Sequence, residues 1–194
     1  MKNDYHGEKV KISVLPTLLV TALGHVPDVR NLPKSQAKNG QLIYRIGIKS
    51  YQKYFGHFLH QLTTLDRDNR DTFNWKAIRN IYTKMFTAGQ KQLISSIHDV
   101  SEGGMLVTLF ESLMMDKLGI SLTVPEGVDG TAWLYSELPG QFVVTIDRNK
   151  REVFESHFSA DVIEFLGEAD TSGRIRMMGE ELSILEMTKI WRKE

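Results

Sequence analysis

The heptad His98-Asp99-Val100-Ser101-Glu102-Gly103-Gly104 places a histidine, two acids, a hydroxyl and two glycines side by side. An apolar run, Leu93 to Ile97, precedes it as a strand would. Behind it Met105, Leu106, Leu109, Phe110, Leu113 and Met114 recur at the three-to-four spacing of an amphipathic helix. The heptad therefore falls at a strand-to-helix turn, with two glycines in the first helical turn. Free backbone N–H groups and the positive end of a helix dipole converge at such a turn, and glycines present no Cβ to hold a phosphate away. Two readings fit it. In one, His98, Asp99, Ser101, Gly103 and Gly104 line a phosphate. In the other, Ser101 is an N-cap, Glu102 a dipole-matched acid, and the glycines only permit tight packing. Local chemistry does not separate them.

Other groupings offer less. His57 and His60 stand three apart on an expected helix and could share a face as metal ligands, but no third ligand follows at a matching spacing, so no metal site is expected. His98 and Asp99 have the types of an acid–base pair, yet neighbours on a strand point to opposite sides, so each should act separately. Arg174 and Arg176 alternate on one strand face, where a phosphate or a carboxylate could pair with them. Glu152/Glu155 and Glu180/Glu181 read as solvated surface, and Trp133, Tyr135 and Phe142 as core. No Walker sequence and no dinucleotide fingerprint is present. Cysteine is absent, which excludes disulfides, thiolate metal sites and thiol nucleophiles within the chain.

The elements that must hold these residues follow from periodicity and punctuation. Strands are predicted over Lys9 to Leu15, Thr17 to Leu23, Gln41 to Ile48, Leu93 to Ile97, Ile120 to Val124, Gln141 to Ile146 and Val162 to Leu166. Helices are predicted over Tyr51 to Leu62, from Phe73 to a C-cap at Gly89, behind the glycine turn, over Asn149 to Phe158 and over Glu186 to Arg192. Arg174 to Met178 and Glu181 to Leu185 read as a hairpin about Gly179-Glu180. Strands and helices mix without βαβ alternation, so the expected class is α+β, a mixed β-sheet with helices packed on one face.

With 194 residues, 41% of them hydrophobic, the chain can build one sizeable core. The expected layout is a short tail over residues 1–8 and a single domain over 9–194. Lys plus Arg and Asp plus Glu number 24 each, so no basic excess exists to release counterions from a nucleic acid. No apolar stretch approaches the roughly 18 residues of a membrane span, and no signal peptide is visible. A cytoplasmic location is expected.

Three segments, taken in order, carry a family resemblance. Pro16 to Gly24 followed by Val26-Pro27-Asp28-Val29-Arg30 resembles the start of the C-terminal domains of the aminoimidazole-ribonucleotide-synthetase-like superfamily. His98 to Gly104, continued by Leu106-Val107-Thr108-Leu109 and Glu111, is similar to the His-Asp-x-Ser-(Asp/Glu)-Gly-Gly signature of the phosphoribosylformylglycinamidine synthases. Leu134-Tyr135-Ser136-Glu137, then Pro139 to Val144, resembles their Phe-Ser-Glu-Ser-x-x-Arg-Phe segment. Gly167-Glu168, the hairpin of Arg174 to Leu185 and Trp191 also fit, so the resemblance covers about residues 9 to 192.

That resemblance implies the C-terminal-domain architecture of the superfamily and a place in purine biosynthesis. The family converts formylglycinamide ribonucleotide, glutamine and ATP, with magnesium, into the amidine. Its core holds two halves, each an ATP-binding domain followed by a C-terminal domain, with ligands between them. This chain resembles one such C-terminal domain, that of the second half. Its implied partners are the ATP-binding domain and a glutaminase domain or subunit; ATP and magnesium belong to the full enzyme. On this chain the resemblance implies phosphate-site residues in 98–104 and a substrate loop at Ser136 and Glu137, with no catalytic residue and no turnover by the chain alone. Two departures stand out. Tyr54-Phe55-Gly56-His57-Phe58 replaces the family's Leu-Gly-Gly-Ser stretch, and Ser136-Glu137-Leu138-Pro139 lacks the second serine and the glutamine of the first half. The alternatives are a non-catalytic scaffold or binding module, or a related ATP-dependent synthetase or kinase.

Overall fold

A computed structural model describes residues 19–26, 28–49 and 73–193 of the chain. It divides into two compact units, Met1–Arg30 and Asn31–Glu194. In the first, residues 19–23 form no strand and Leu23 is 98% exposed, so the strand expected over Thr17 to Leu23 is not formed there. An apolar run becomes a strand only where a neighbour takes up its backbone hydrogen bonds. Asp28 accepts from the Arg30 backbone N–H at 3.0 Å and pairs with its guanidinium at 2.9 Å. These bonds from Arg30 hold the Asp28 carboxyl below the usual carboxylate range. The expected strand Lys9 to Leu15 and helix Tyr51 to Leu62, with His57 and His60, lie outside the described residues.

The second unit is built on a four-stranded antiparallel sheet of β1 (Leu42–Ile46), β2 (Ser96–Asp99), β4 (Phe142–Ile146) and β5 (Ile163–Glu168). Across the sheet they lie in the order β2-β4-β1-β5. A smaller mixed sheet joins β3 (Ile120–Ser121) in parallel to β6 (Arg174–Met177), which forms a hairpin with β7 (Glu180–Ser183). Met178 (φ 51°) and Gly179 (φ 83°) turn that hairpin, the two positive φ values of a type I′ turn.

Five helices complete the described part of the unit: α1 (Trp75–Gln90), α2 (Gly104–Leu113), α3 (Gly130–Tyr135), α4 (Arg151–His157) and α5 (Ile184–Arg192). The α+β class, with strands and helices mixed, is that expected from the sequence. The layering is fuller than a single helical face, because every residue of β1 and of β4 is buried. On one face Leu42, Tyr44, Ile46, Val144 and Ile146 meet Ile81, Met85 and Ala88 of α1 and Phe154 of α4. On the other, Ile43, Val143 and Leu166 meet α2, α3 and, through Ile120 and Ile175, the small sheet. Alternation along each strand sends its side chains to both cores.

Local sequence explains the helices. Asn74 caps α1 by accepting from Ala77 N–H at 3.0 Å, and Ile78, Ile81, Met85 and Ala88 form its buried stripe. Gly89 is not its C-cap: the helix runs on to Gln90, and Gln92 takes the left-handed turn at φ 53°. Asp129 caps α3 on Ala132 N–H at 2.9 Å, a six-residue helix too short for periodicity to show. Eight of the ten residues of α2 are buried, so it runs through the core rather than over it.

Candidate functional site

The heptad lies where the sequence reading put it, between the end of β2 and the start of α2, and its backbone is unusual. Gly103 (φ 87°) and Gly104 (φ 69°) both adopt the left-handed conformation, which removes the penalty only for glycine. A Cβ on Gly104 would sit 2.6 Å from the Tyr135 backbone, and one on Gly103 would sit 2.4 Å from the Val107 side chain. The two glycines are therefore required by packing as well as by φ.

The N-cap of α2 is Gly103, with no side-chain cap. Ser101 is exposed and contributes its carbonyl, which accepts from Gly104 N–H at 3.0 Å. The reading in which Ser101 caps the helix is thus corrected: two left-handed residues shift the helix start beyond the reach of its hydroxyl. The helix-end donor is satisfied from elsewhere in the chain. Gly103 N–H donates to Oε1 of Glu137 at 2.9 Å. A carboxylate, the charge favoured at a helix N-terminus, occupies that position. The two segments singled out in the sequence, the glycine turn and the Ser136-Glu137 loop, meet at this bond.

Ser136 is buried, and its hydroxyl donates to the Ala132 carbonyl at the end of α3. It holds the loop's shape. Behind the loop, Arg45 in β1 is 2% exposed. Its Nη1 donates to the Trp133 carbonyl at 3.0 Å and its Nε to Glu164 of β5 at 2.9 Å. The Trp133 indole in turn donates to Oε1 of Glu164 at 2.9 Å, and the guanidinium lies 5.2 Å from the Trp133 ring centroid. This buried network ties α3 to the sheet and so sets where Glu137 reaches α2. Sequence reasoning missed it; a lone Arg inside the apolar run Leu42 to Ile46 is the one available signal.

His98 and Asp99 diverge as strand alternation requires. His98 faces α2, its Nδ1 2.9 Å from the Asp99 carbonyl and its Nε2 3.2 Å from the Glu111 carboxylate. The Asp99 carboxylate is 71% exposed and 3.7 Å from the ring, too far for a direct hydrogen bond. The ring thus braces the strand end against α2 through Glu111. Thr108 adds a second, longer contact, its hydroxyl 3.4 Å from the Asp99 carbonyl while it also donates to the Gly104 carbonyl within α2 at 3.0 Å. Beside the strand end, Ser35, Ile97, His98, Asp99 and Phe142 line an open depression of about 330 Å³. Among the described residues no group of three or more His, Asp or Glu could hold a metal ion.

Arg174 and Arg176 do not present a free anion site. Both pair with Glu181 of the neighbouring strand, Arg176 through Nε at 2.8 Å and Arg174 at 3.5 Å. Trp133 and Phe142 are buried as expected, but in opposite cores.

A strand-to-helix glycine turn, closed by an acidic loop and mounted on an antiparallel sheet, is the arrangement to be placed among known proteins. Residues 60–180 match the family described as AIR synthase related protein, C-terminal domain, and the chain belongs to it. It is 28% identical over 172 residues to the phosphoribosylformylglycinamidine synthase subunit PurL of Limosilactobacillus reuteri, a match covering 88% of this chain and 22% of that protein. Among solved structures it resembles PurLQS from Thermotoga maritima, with TM-score 0.64 and 16% identity over 80% of this chain and 27% of that one. It also resembles Thermotoga maritima PurL complexed with ATP, with TM-score 0.62 and 16% identity over 81% of this chain and 27% of that one. The chain therefore spans about a fifth of the length of the curated relative it matches. No helix among the described residues is long and apolar enough to cross a membrane.

Proposed function

We propose that this chain supplies a C-terminal-type domain, over residues 9–194, to a phosphoribosylformylglycinamidine synthase. There the turn of His98, Asp99, Ser101, Gly103 and Gly104 helps to line a phosphate-bearing ligand, with Glu137 at its edge. The observation that carries this reading is the meeting of two motifs 34 residues apart, Gly103 and Glu137, at one helix N-terminus. The similarity to PurL over 88% of the chain supports it. In the full enzyme ATP and magnesium are the cofactors, neither held by this chain alone, and the ATP-binding domain and a glutaminase domain or subunit are the partners. His98, held to α2 by Glu111, positions the turn, and Asp99 faces the ligand side from an exposed strand end. The chain alone carries no catalytic residue and works in the cytoplasm as part of the larger ligase.

The test is a titration of the isotope-labelled chain with formylglycinamide ribonucleotide and with inorganic phosphate, beside a coupled ADP assay. Shifts of the Ser101, Gly103 and Gly104 amides at millimolar ligand, without ADP release, are expected, because a helix-end interaction at an exposed site contributes only about 0.3–1 kcal/mol. Silence of those amides at every concentration, or ATP turnover lost in Asp99→Asn, would refute the reading. One observation favours the scaffold alternative: the Glu137 carboxylate already fills the position an anion would take.

A further inference from the structure

The imidazole of His98 stands between two acceptors. Its Nδ1 lies 2.9 Å from the Asp99 carbonyl, and its Nε2 lies 3.2 Å from the Glu111 carboxylate of α2. A neutral imidazole has one N–H and one bare nitrogen, and neither a carbonyl nor a carboxylate has a proton to offer the bare one. With Nδ1 donating to the carbonyl, a bare Nε2 turns its lone pair on Glu111; a proton there makes the contact an ion pair. The two side chains are 23% and 28% exposed, so salt screens them less than a free surface pair. His98 is also the one ion-pair partner of Glu111 among the described residues. The other charge paired with the ring is the exposed Asp99 carboxylate, 3.7 Å from Nδ1. From α2, the Thr108 hydroxyl shares the Asp99 carbonyl at 3.4 Å. From β4, Val143 lies opposite His98 in register, and Phe142 and Ser35 line the same depression. None of these four side chains titrates between pH 5 and 8.

Glu111 lies about two helical turns beyond Gly104, so its contact with His98 joins the end of β2 to the body of α2. The glycine turn is the stretch of chain between those two anchors. We propose that His98 is a pH-operated clasp on the glycine turn: with a proton on each ring nitrogen it ties β2 to α2 through Glu111, and loss of one proton releases that tie. Imidazole is the side chain that exchanges its proton between pH 5 and 8, where carboxylates ordinarily stay ionised. The tie is therefore present at the lower end of that range and lost toward its upper end. Gly103 keeps its bond to Glu137 throughout, so release shifts the turn without unfolding it. The clasp acts on the turn's own backbone and stands whether or not a phosphate binds there.

The test follows the ring nitrogen resonances of His98 and the backbone amides of Gly103 and Gly104 in the labelled chain, without ligand, from about pH 5.5 to about 8.5. Both amides are expected to move along the same titration curve as the ring. In Glu111→Gln the side-chain amide can accept from a protonated Nε2 or donate to a bare one, so the tie persists across the range. The pH step at the two glycines should then shrink at least about threefold. Asp99→Asn should leave most of that step in place, because the Asp99 carboxylate is exposed and outside hydrogen-bond distance of the ring. Glycine amides indifferent to pH while the ring titrates, or a step unchanged in Glu111→Gln, would overturn the proposal. So would a ring that carries a single proton at the acid end. The parent titration decides even where a variant loses stability.

Discussion

The Glu137 carboxylate accepts a 2.9 Å hydrogen bond from the Gly103 backbone N–H, so the N-terminus of α2 holds an anion supplied by its own chain. An incoming phosphate must compete with that group. Glu137→Gln should keep a hydrogen-bond acceptor near Gly103 while removing the charge. Phosphate affinity at the turn is then expected to rise about threefold to fivefold, as one helix-end charge interaction of up to about 1 kcal/mol is relieved. Amide shifts of Gly103 and Gly104 during a phosphate titration measure it; unchanged affinity would mean that Glu137 does not guard the turn.

Gly104→Val should be severely destabilising. Its Cβ would press on the Tyr135 backbone at 2.6 Å, at a φ of 69° that a β-branched residue rarely takes. Overpacking and backbone strain together suggest a loss of about 3 kcal/mol or more. Ser101→Ala should change stability by no more than about 0.5 kcal/mol, because that hydroxyl caps nothing. Urea unfolding of both variants beside the parent decides it.

Arg45→Ala leaves Glu164, 12% exposed at its side chain, without its buried partner. Breaking a buried pair on one side costs about 3–5 kcal/mol. Because Arg45 also holds the Trp133 carbonyl, the same change should perturb the amide of Gly103, which is bonded to Glu137 of the loop that follows. Equilibrium unfolding gives the first quantity and an amide spectrum the second.

Asp147 sits at one end of a polar chain. Its carboxylate accepts from the Gln41 amide at 3.1 Å and the Ser95 hydroxyl at 3.2 Å, and Lys150 lies at 3.3 Å. The bond from Gln41 is the main cause holding its carboxyl below the usual range, with Lys150 and Ser95 adding to it. A depressed carboxylate stabilises the fold above its unfolded value, about 3.9, and that contribution disappears as pH falls through the folded value. Asp147→Asn should therefore lower the thermal midpoint most near neutral pH, with the gap to the parent closing below about pH 4. A gap independent of pH would assign the effect to lost hydrogen-bond geometry instead.

The parts legible in the sequence are those whose periodicity is strong and local. β1, β4, α1 and α2 lie within a few residues of their expected bounds because their apolar spacing is unbroken. One of the two readings of the heptad makes Ser101 the cap, because it is the favoured residue type before an apolar run, whereas the positive φ of Gly103 and Gly104 moves the helix start. Glu137 could be singled out by its loop, but its meeting with Gly103 depends on α3, a helix opening on Gly130-Thr131, which are poor helix formers. The Arg45 network joins three elements far apart in the chain, and no local spacing encodes it.

The rim of β2 faces outward from the sheet, yet half of it is closed. Lys34 N–H donates to the Ser95 carbonyl at 3.0 Å, and Ile97 N–H donates to the Lys34 carbonyl at 2.7 Å. An uncovered strand edge is a template on which a second chain can add its own strand, the first step of aggregation. One lysine laid along Ser96 blocks that route and brings a positive charge to the edge. Among the described residues the uncovered stretch that remains is His98 and Asp99, where the exposed Asp99 carboxylate discourages another strand from docking. A residue that marks the turn therefore also protects the sheet from growing.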